Sequence, residues 1–151
     1  MSPNLLPGMP RTERAQSIMF VRKEEYMPKP RILIVDDEEN VRKALMRWFE
    51  AGGYSVAVAK DGAEAVELCQ AGDFDVITMD LEMPRMNGRE AIAAIRSTRP
   101  NVPILILTGF LGDPDGMHNY GASKVLYKPI SLRELESEVR NLVPKHLFEQ
   151  P

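Results

Sequence analysis

Phe74-Asp75-Val76-Ile77-Thr78-Met79-Asp80-Leu81-Glu82-Met83-Pro84-Arg85-Met86-Asn87-Gly88 is the stretch around which the rest of the chain is patterned. Val76 to Met79 is a short apolar run suited to a buried strand. It delivers one carboxylate, Asp80, to its C-terminal end. Pro84 stiffens the loop that follows, and Asn87-Gly88 turns it. An Asp after a strand is by itself an ordinary turn former, so the weight falls on what else reaches the same place.

Moving outward, short β-branched runs alternate with helical stripes. Ile32-Leu33-Ile34-Val35 is continuous and apolar, as in a strand covered on both faces. It runs into Asp36-Asp37-Glu38-Glu39, after which Val41, Ala44, Leu45, Trp48 and Phe49 form one helical stripe that Gly52-Gly53 stops. Tyr54 to Ala59 reads as a second strand. Asp61-x-x-Glu64 opens a helix that buries Ala65, Val66 and Cys69 and stops at Gly72. A helix from about Arg89 turns Ile92 and Ile95 inward and ends before Pro100. Ile104 to Leu107 is a fourth strand ending at Thr108-Gly109, and Val125 to Tyr127 a fifth ending at Lys128-Pro129. Ser131-x-x-Glu134 caps a last helix with Leu132, Leu135, Val139 and Leu142 inside, stopped by Pro144. Such alternation with all-apolar strands predicts an α/β fold, a parallel sheet doubly wound by helices. Right-handed crossovers then bring every strand's C-terminal end to one edge, where ligands bind in such sheets.

The bulk numbers narrow the function. The 151 residues suffice for one domain with a core, with an expected flexible tail over 1–29, the domain over 30–143 and a short tail over 144–151. Four prolines, with a fifth at Pro30 just beyond, and no sustained periodicity mark the first tail. It holds the one early apolar cluster, Ile18-Met19-Phe20, as a candidate docking segment, and Met27 is an alternative start. A net charge of −3 gives no support to nucleic-acid binding, which usually goes with a basic face. One cysteine excludes an internal disulfide and a cysteine zinc site, and two distant histidines, His118 and His146, make no metal cluster. With no long apolar stretch for a membrane or signal peptide, the expected compartment is the cytoplasm.

Four of the five strands end in residues suited to the same chemistry. They are Asp36 and Asp37, then Asp80, Thr108 and Lys128. Three carboxylates gathered within roughly 5 Å would repel by about 3 kcal/mol per pair at an effective dielectric near 20. A cation relieves that repulsion, and an oxygen-only donor set favours Mg²⁺ or Mn²⁺ over zinc. Lys128 adds a point charge, Thr108 a hydroxyl donor, and Gly109 leaves room beside it. A phosphoryl group is the cargo these parts can hold, with Asp80 as the nucleophile that forms an aspartyl-phosphate.

The set Val35-Asp36-Asp37, Met79-Asp80-Leu81-x-Met83-Pro84-x-Met86-Asn87-Gly88, Thr108-Gly109 and Lys128-Pro129 resembles the receiver domain of two-component response regulators over about residues 30–143. The resemblance implies a flavodoxin-like (βα)₅ fold with strand order 2-1-3-4-5. It implies that Asp37 and Asp80 ligate Mg²⁺ directly, that Asp36 helps through water, and that the backbone carbonyl of Glu82 completes the set. It further implies that Lys128 pairs with the phosphoryl group across a cis Lys128-Pro129 bond, and that Thr108 is drawn inward on phosphorylation. A sensor histidine kinase is the implied donor, and a downstream protein or a His phosphotransfer domain the implied target. The chain is then no enzyme beyond self-phosphorylation and self-dephosphorylation. With only residues 144–151 beyond the last helix, it is expected to be a stand-alone receiver that contacts neither nucleic acid nor membrane.

Three positions depart from the family pattern. Val125 stands where an aromatic switch residue is common, with Tyr127 two places on and on the same side of the strand. Phe110-Leu111-Gly112-Asp113-Pro114-Asp115-Gly116 replaces the usual fourth-helix region, so that helix is expected to be short or mobile. Glu82 and Phe110 fall where the family tunes dephosphorylation. Alternatives that stay open are a phosphorelay intermediate, a receiver-like module that never takes phosphate, and an aspartyl-phosphate phosphatase of the haloacid-dehalogenase type. Against the last, Asp36-Asp37-Glu38 supplies Asp-x-Glu where those enzymes carry Asp-x-Asp.

Overall fold

The computed structural model describes residues 28–109 and 121–148. The expectations placed on the first 27 residues, on Phe110, on the atypical fourth helix around Gly112–Gly116 and on His118 lie outside the described residues. In chain order come β1 (Arg31–Val35), α1 (Glu39–Ala51), β2 (Ser55–Ala59), α2 (Gly62–Ala71), β3 (Val76–Asp80), α3 (Gly88–Thr98), β4 (Ile104–Thr108), β5 (Lys124–Tyr127) and α4 (Leu132–Leu142), then a 3₁₀ turn over Lys145–Leu147. The five strands form one sheet in the order β2-β1-β3-β4-β5, and every pairing is parallel.

The apolar runs explain the order. β3 and β4 are buried at every position and β1 at all but its first, whereas β2 and β5 are only partly covered and form the edges. One core layer packs Leu33, Val35, Ile77, Met79, Ile104 and Ile106 against Ala65 and Cys69 of α2 and Ala91, Ile92 and Ile95 of α3. The other packs Ile32, Ile34, Val76, Leu105 and Leu107 against Leu45 and Phe49 of α1 and Leu135 and Val139 of α4. Cys69 is core filler, as its place on the helical stripe predicted. Ala44 is exposed rather than part of the α1 stripe.

Two helix starts follow the predicted caps, Asp61 and Ser131, and Asn87, read from sequence as a turn residue, caps a third; each accepts a hydrogen bond from the backbone N–H three residues on. α1 lacks such a cap: Asp36, two residues upstream of Glu38, accepts from the Glu38 N–H instead. Gly53 takes φ +92° at the turn out of α1, which a side chain would strain. Tyr54 lies just before β2 rather than within it. Its buried ring meets Phe49 edge-on at 5.0 Å and Phe148 at 5.7 Å. Leu147 and Phe148, from the segment expected as a tail, thus pack on the α1/α4 core layer. Arg96 of α3 donates to the carbonyl of Gly121 at 2.7 Å and to that of Val102 at 2.5 Å, tying the approach to β5 to that of β4. No helix among the described residues is long and apolar enough to cross a membrane.

Candidate functional site

Register alone assembles the edge. Val35 of β1 lies across from Met79 of β3, so the next residues, Asp36 and Asp80, end adjacent strands side by side. Neighbouring strands are about 4.8 Å apart. Asp80 in turn pairs with Leu107, and Thr108 pairs with Tyr127, so Thr108 and then Lys128 each stand one step further along the edge. Carboxylate oxygens of Asp36, Asp37 and Asp80 come within 4.8 Å of one another, with Asp36 and Asp80 buried and Asp37 exposed. The Lys128 ammonium lies 3.4 Å from Asp80 Oδ2 and 3.8 Å from Asp36 Oδ2. Its backbone N–H donates to the Thr108 carbonyl at 2.8 Å, and the Lys128-Pro129 bond is cis, as the resemblance implied.

Burial sets the electrostatics. Asp80 is 4% exposed, and desolvation pushes its carboxyl up to about 6 although the Glu82 N–H and Lys128 both favour the charged form. Asp36 is raised by the same cause, against the Glu38 N–H and Lys128. Burial works against the Lys128 ammonium, but the charges of Asp80 and Asp36 outweigh it and hold its pKa above the usual lysine value. A pair of buried carboxylates with an exposed third fits a hard divalent cation that takes oxygen ligands, and among the described residues the group includes no histidine or cysteine for a softer one.

The loop after Asp80 is fixed from below. The Glu82 N–H donates to Asp80 Oδ1 at 3.1 Å, and the Gly88 N–H donates to the Leu81 carbonyl. Arg85, after Pro84, turns the chain at φ +65° and faces the buried Asp61 carboxylate at 3.7 Å. A Cβ on Gly88 would lie 2.6 Å from the Asp80 carbonyl oxygen, and one on Gly62 would lie 2.6 Å from that of Met86. The start of α2 is therefore pressed against the loop that follows Asp80. Sequence reading gave Asp61 a capping role only and Gly62 none; a lone glycine at a first helical position signals such an approach only once the two elements are known to touch.

Thr108 is fully buried, and its Oγ1 donates to Glu82 Oε1 at 2.6 Å. This contact between two residues of the predicted set was missed: the sequence reading gave Glu82 a backbone-carbonyl role and placed it where the family tunes dephosphorylation, but named no partner for its carboxylate. Val125 packs, half-buried, on the α2/α3 side of the sheet, and Tyr127 is half-buried at the strand's end. His146 sits exposed in the 3₁₀ turn, away from the site residues in sequence and element.

Comparison with known proteins agrees with this geometry. The family model described as "Response regulator receiver domain" matches residues 32–140. Response regulator MprA of Mycolicibacterium vanbaalenii is 39% identical over 115 residues, 75% of this chain and 50% of that protein. That of Mycobacterium leprae is likewise 39% identical over 115 residues, with the same coverage. The chain thus spans about half the length of these relatives. Among solved structures, chemotaxis protein CheY4 of Vibrio cholerae superposes with a TM-score of 0.71 at 32% identity, over 77% of this chain and all of that one. Response regulator TrrA of Thermotoga maritima, solved with Mg²⁺ and beryllium fluoride, gives 0.70 at 31% identity, over 76% of this chain and 99% of that one. With its five parallel strands in 2-1-3-4-5 order and its acidic edge opposite a lysine, the chain belongs to the response regulator receiver domain family.

Proposed function

We propose that Asp80 is the phosphoacceptor of this receiver and that a sensor histidine kinase is its donor. A carboxylate oxygen of Asp80 attacks the phosphorus of a phosphohistidine. The new O–P bond forms as the N–P bond breaks, and the imidazole leaves with the electron pair. Lys128 is placed to meet the charge on the transferred group, and Thr108 carries a hydroxyl at the end of the next strand but one from β1 to donate to it. Asp36, Asp37, Asp80 and the Glu82 carbonyl would hold Mg²⁺ or Mn²⁺, whose charge offsets the repulsion between the acceptor and the incoming anion. The phosphorylated edge then changes the surface offered to a partner protein.

The observation that carries this reading is Asp80 itself: a nearly buried carboxylate, grouped with two others, whose close cation is one lysine 3.4 Å away. Incubation with acetyl phosphate and Mg²⁺, followed by intact-mass measurement, is expected to add one phosphate to the native chain and none to Asp80→Asn. Equal incorporation by the two proteins, or none by the native chain, would refute the assignment.

A further inference from the structure

We propose that Glu82 is a positioning residue that holds the Thr108 hydroxyl closed against an incoming phosphoryl group. This rests on Asp80 as the acceptor and concerns how readily the group is taken up, whatever the rate at which it is later lost.

The Thr108 hydroxyl has one proton to donate. In this structure it donates to Glu82 Oε1 at 2.6 Å, the short distance of a hydroxyl bound to a carboxylate. A phosphoryl oxygen on Asp80 needs the same proton. The two acceptors are both anionic and compete for one donor, so phosphoryl occupancy requires the Glu82 side chain to leave. It can do so without unfolding anything: Glu82 is exposed, while its backbone stays tethered through its N–H to Asp80 Oδ1 at 3.1 Å. Thr108 cannot move away so freely, being buried in β4. The mobile partner of the pair is therefore the glutamate, and the bond raises the threshold for filling the site.

The test uses the full chain and beryllium fluoride with Mg²⁺ as a non-covalent phosphoryl mimic, with affinity read by calorimetry. Losing a charge-assisted hydrogen bond that binding must break is expected to make Glu82→Ala bind about tenfold more tightly than the native chain. Glu82→Gln keeps a neutral acceptor and should gain less. The gain must pass through the hydroxyl, so it should vanish when Glu82→Ala is made in a Thr108→Val background and persist with Thr108→Ser. Unchanged or weaker binding by Glu82→Ala overturns the proposal. So does an undiminished gain with Thr108→Val, which would mean that Glu82 acts by bulk charge alone. Failure of the native chain to bind the mimic at all would instead strike the receiver reading itself, and this inference with it.

Discussion

Replacing Asp80 with Asn is expected to stabilise the metal-free protein while removing the proposed acceptor. Burial raises the Asp80 carboxyl from its ordinary 3.8 to about 6. At about 1.36 kcal/mol per tenfold change in proton affinity, that rise corresponds to about 3 kcal/mol of folding free energy. The sign follows from proton counts. Between about pH 4 and pH 6 the folded chain holds this proton more firmly than the unfolded chain. Raising the pH through that window therefore lowers stability, and above about 6 the full penalty remains. Asn keeps the Oδ1 that accepts from the Glu82 N–H but turns an amide toward Lys128, where the carboxylate now lies 3.4 Å away. The attraction of Lys128 already holds the Asp80 carboxyl down to about 6, so losing it in the amide is no further cost, and the net gain at pH 7.5 is about 2–3 kcal/mol. Urea unfolding of both proteins in chelator, at pH 4 and pH 7.5, measures it as a difference in which the other titrating groups cancel. The variant should match the native chain at pH 4 and exceed it at pH 7.5, and added Mg²⁺ should narrow the gap by stabilising the native chain more. A variant no more stable at pH 7.5 than at pH 4, relative to the native chain, would show that burial of Asp80 carries no such penalty.

Gly62→Ala should cost about 1–3 kcal/mol in urea unfolding, overpacking outweighing the better helix former, because the new Cβ would stand 2.6 Å from the Met86 carbonyl oxygen; a neutral or stabilising result would mean that α2 and the loop after Asp80 slide apart freely. Thr78 Oγ1 is buried without a hydrogen-bond partner among the described residues, so Thr78→Val, which keeps the branched shape in β3, should gain about 1 kcal/mol. A loss in the same unfolding assay would reveal a bond that the hydroxyl makes. Phe148→Ala removes an edge contact with Tyr54 at 5.7 Å and an Arg140 guanidinium stacked 4.3 Å over the ring. It should lower stability by about 1–2 kcal/mol in thermal or urea unfolding, and no change would mean that the segment after Val143 lies on the core without holding it.

What sequence could supply here was whatever is local. Strand runs, caps at Asp61 and Ser131, and the polar residues at the ends of four strands all depend on near neighbours in the chain, and all appear in the structure. The sheet edge was legible because a parallel α/β fold leaves little freedom about where strand ends go. Contacts decided by side-chain direction across elements were not legible. Ala44 falls on the helical stripe by count yet lies exposed, because α1 presents Leu45 and Phe49 squarely to the sheet. Phe148 reads as tail, since nothing nearby in sequence announces Tyr54 as its partner. The approach of Gly62 to Met86 depends on how closely α2 packs against the loop after Asp80, a distance no pattern encodes.

The same distinction accounts for how the edge can act as a switch. Register forces Asp36 and Asp80 to be neighbours at the ends of two central strands, so burial raises both carboxyls and the fold carries their cost whether or not anything is bound. A site held together by the sheet need not assemble itself around its ligand, which leaves binding free energy available to move something else. The described structure places an exposed side chain there that could move. The Glu82 carboxylate is exposed and held on the site side by the one proton of Thr108, while the backbone beneath it is braced by Gly62 and Gly88. A phosphoryl group at Asp80 would exchange one anionic acceptor for another at the end of β4, where Thr108 pairs with Tyr127 of the edge strand β5. The information that Asp80 is filled would thus leave the buried edge by a side-chain exchange rather than by a rearrangement of the sheet, whose central strands are too well packed to shift at small cost.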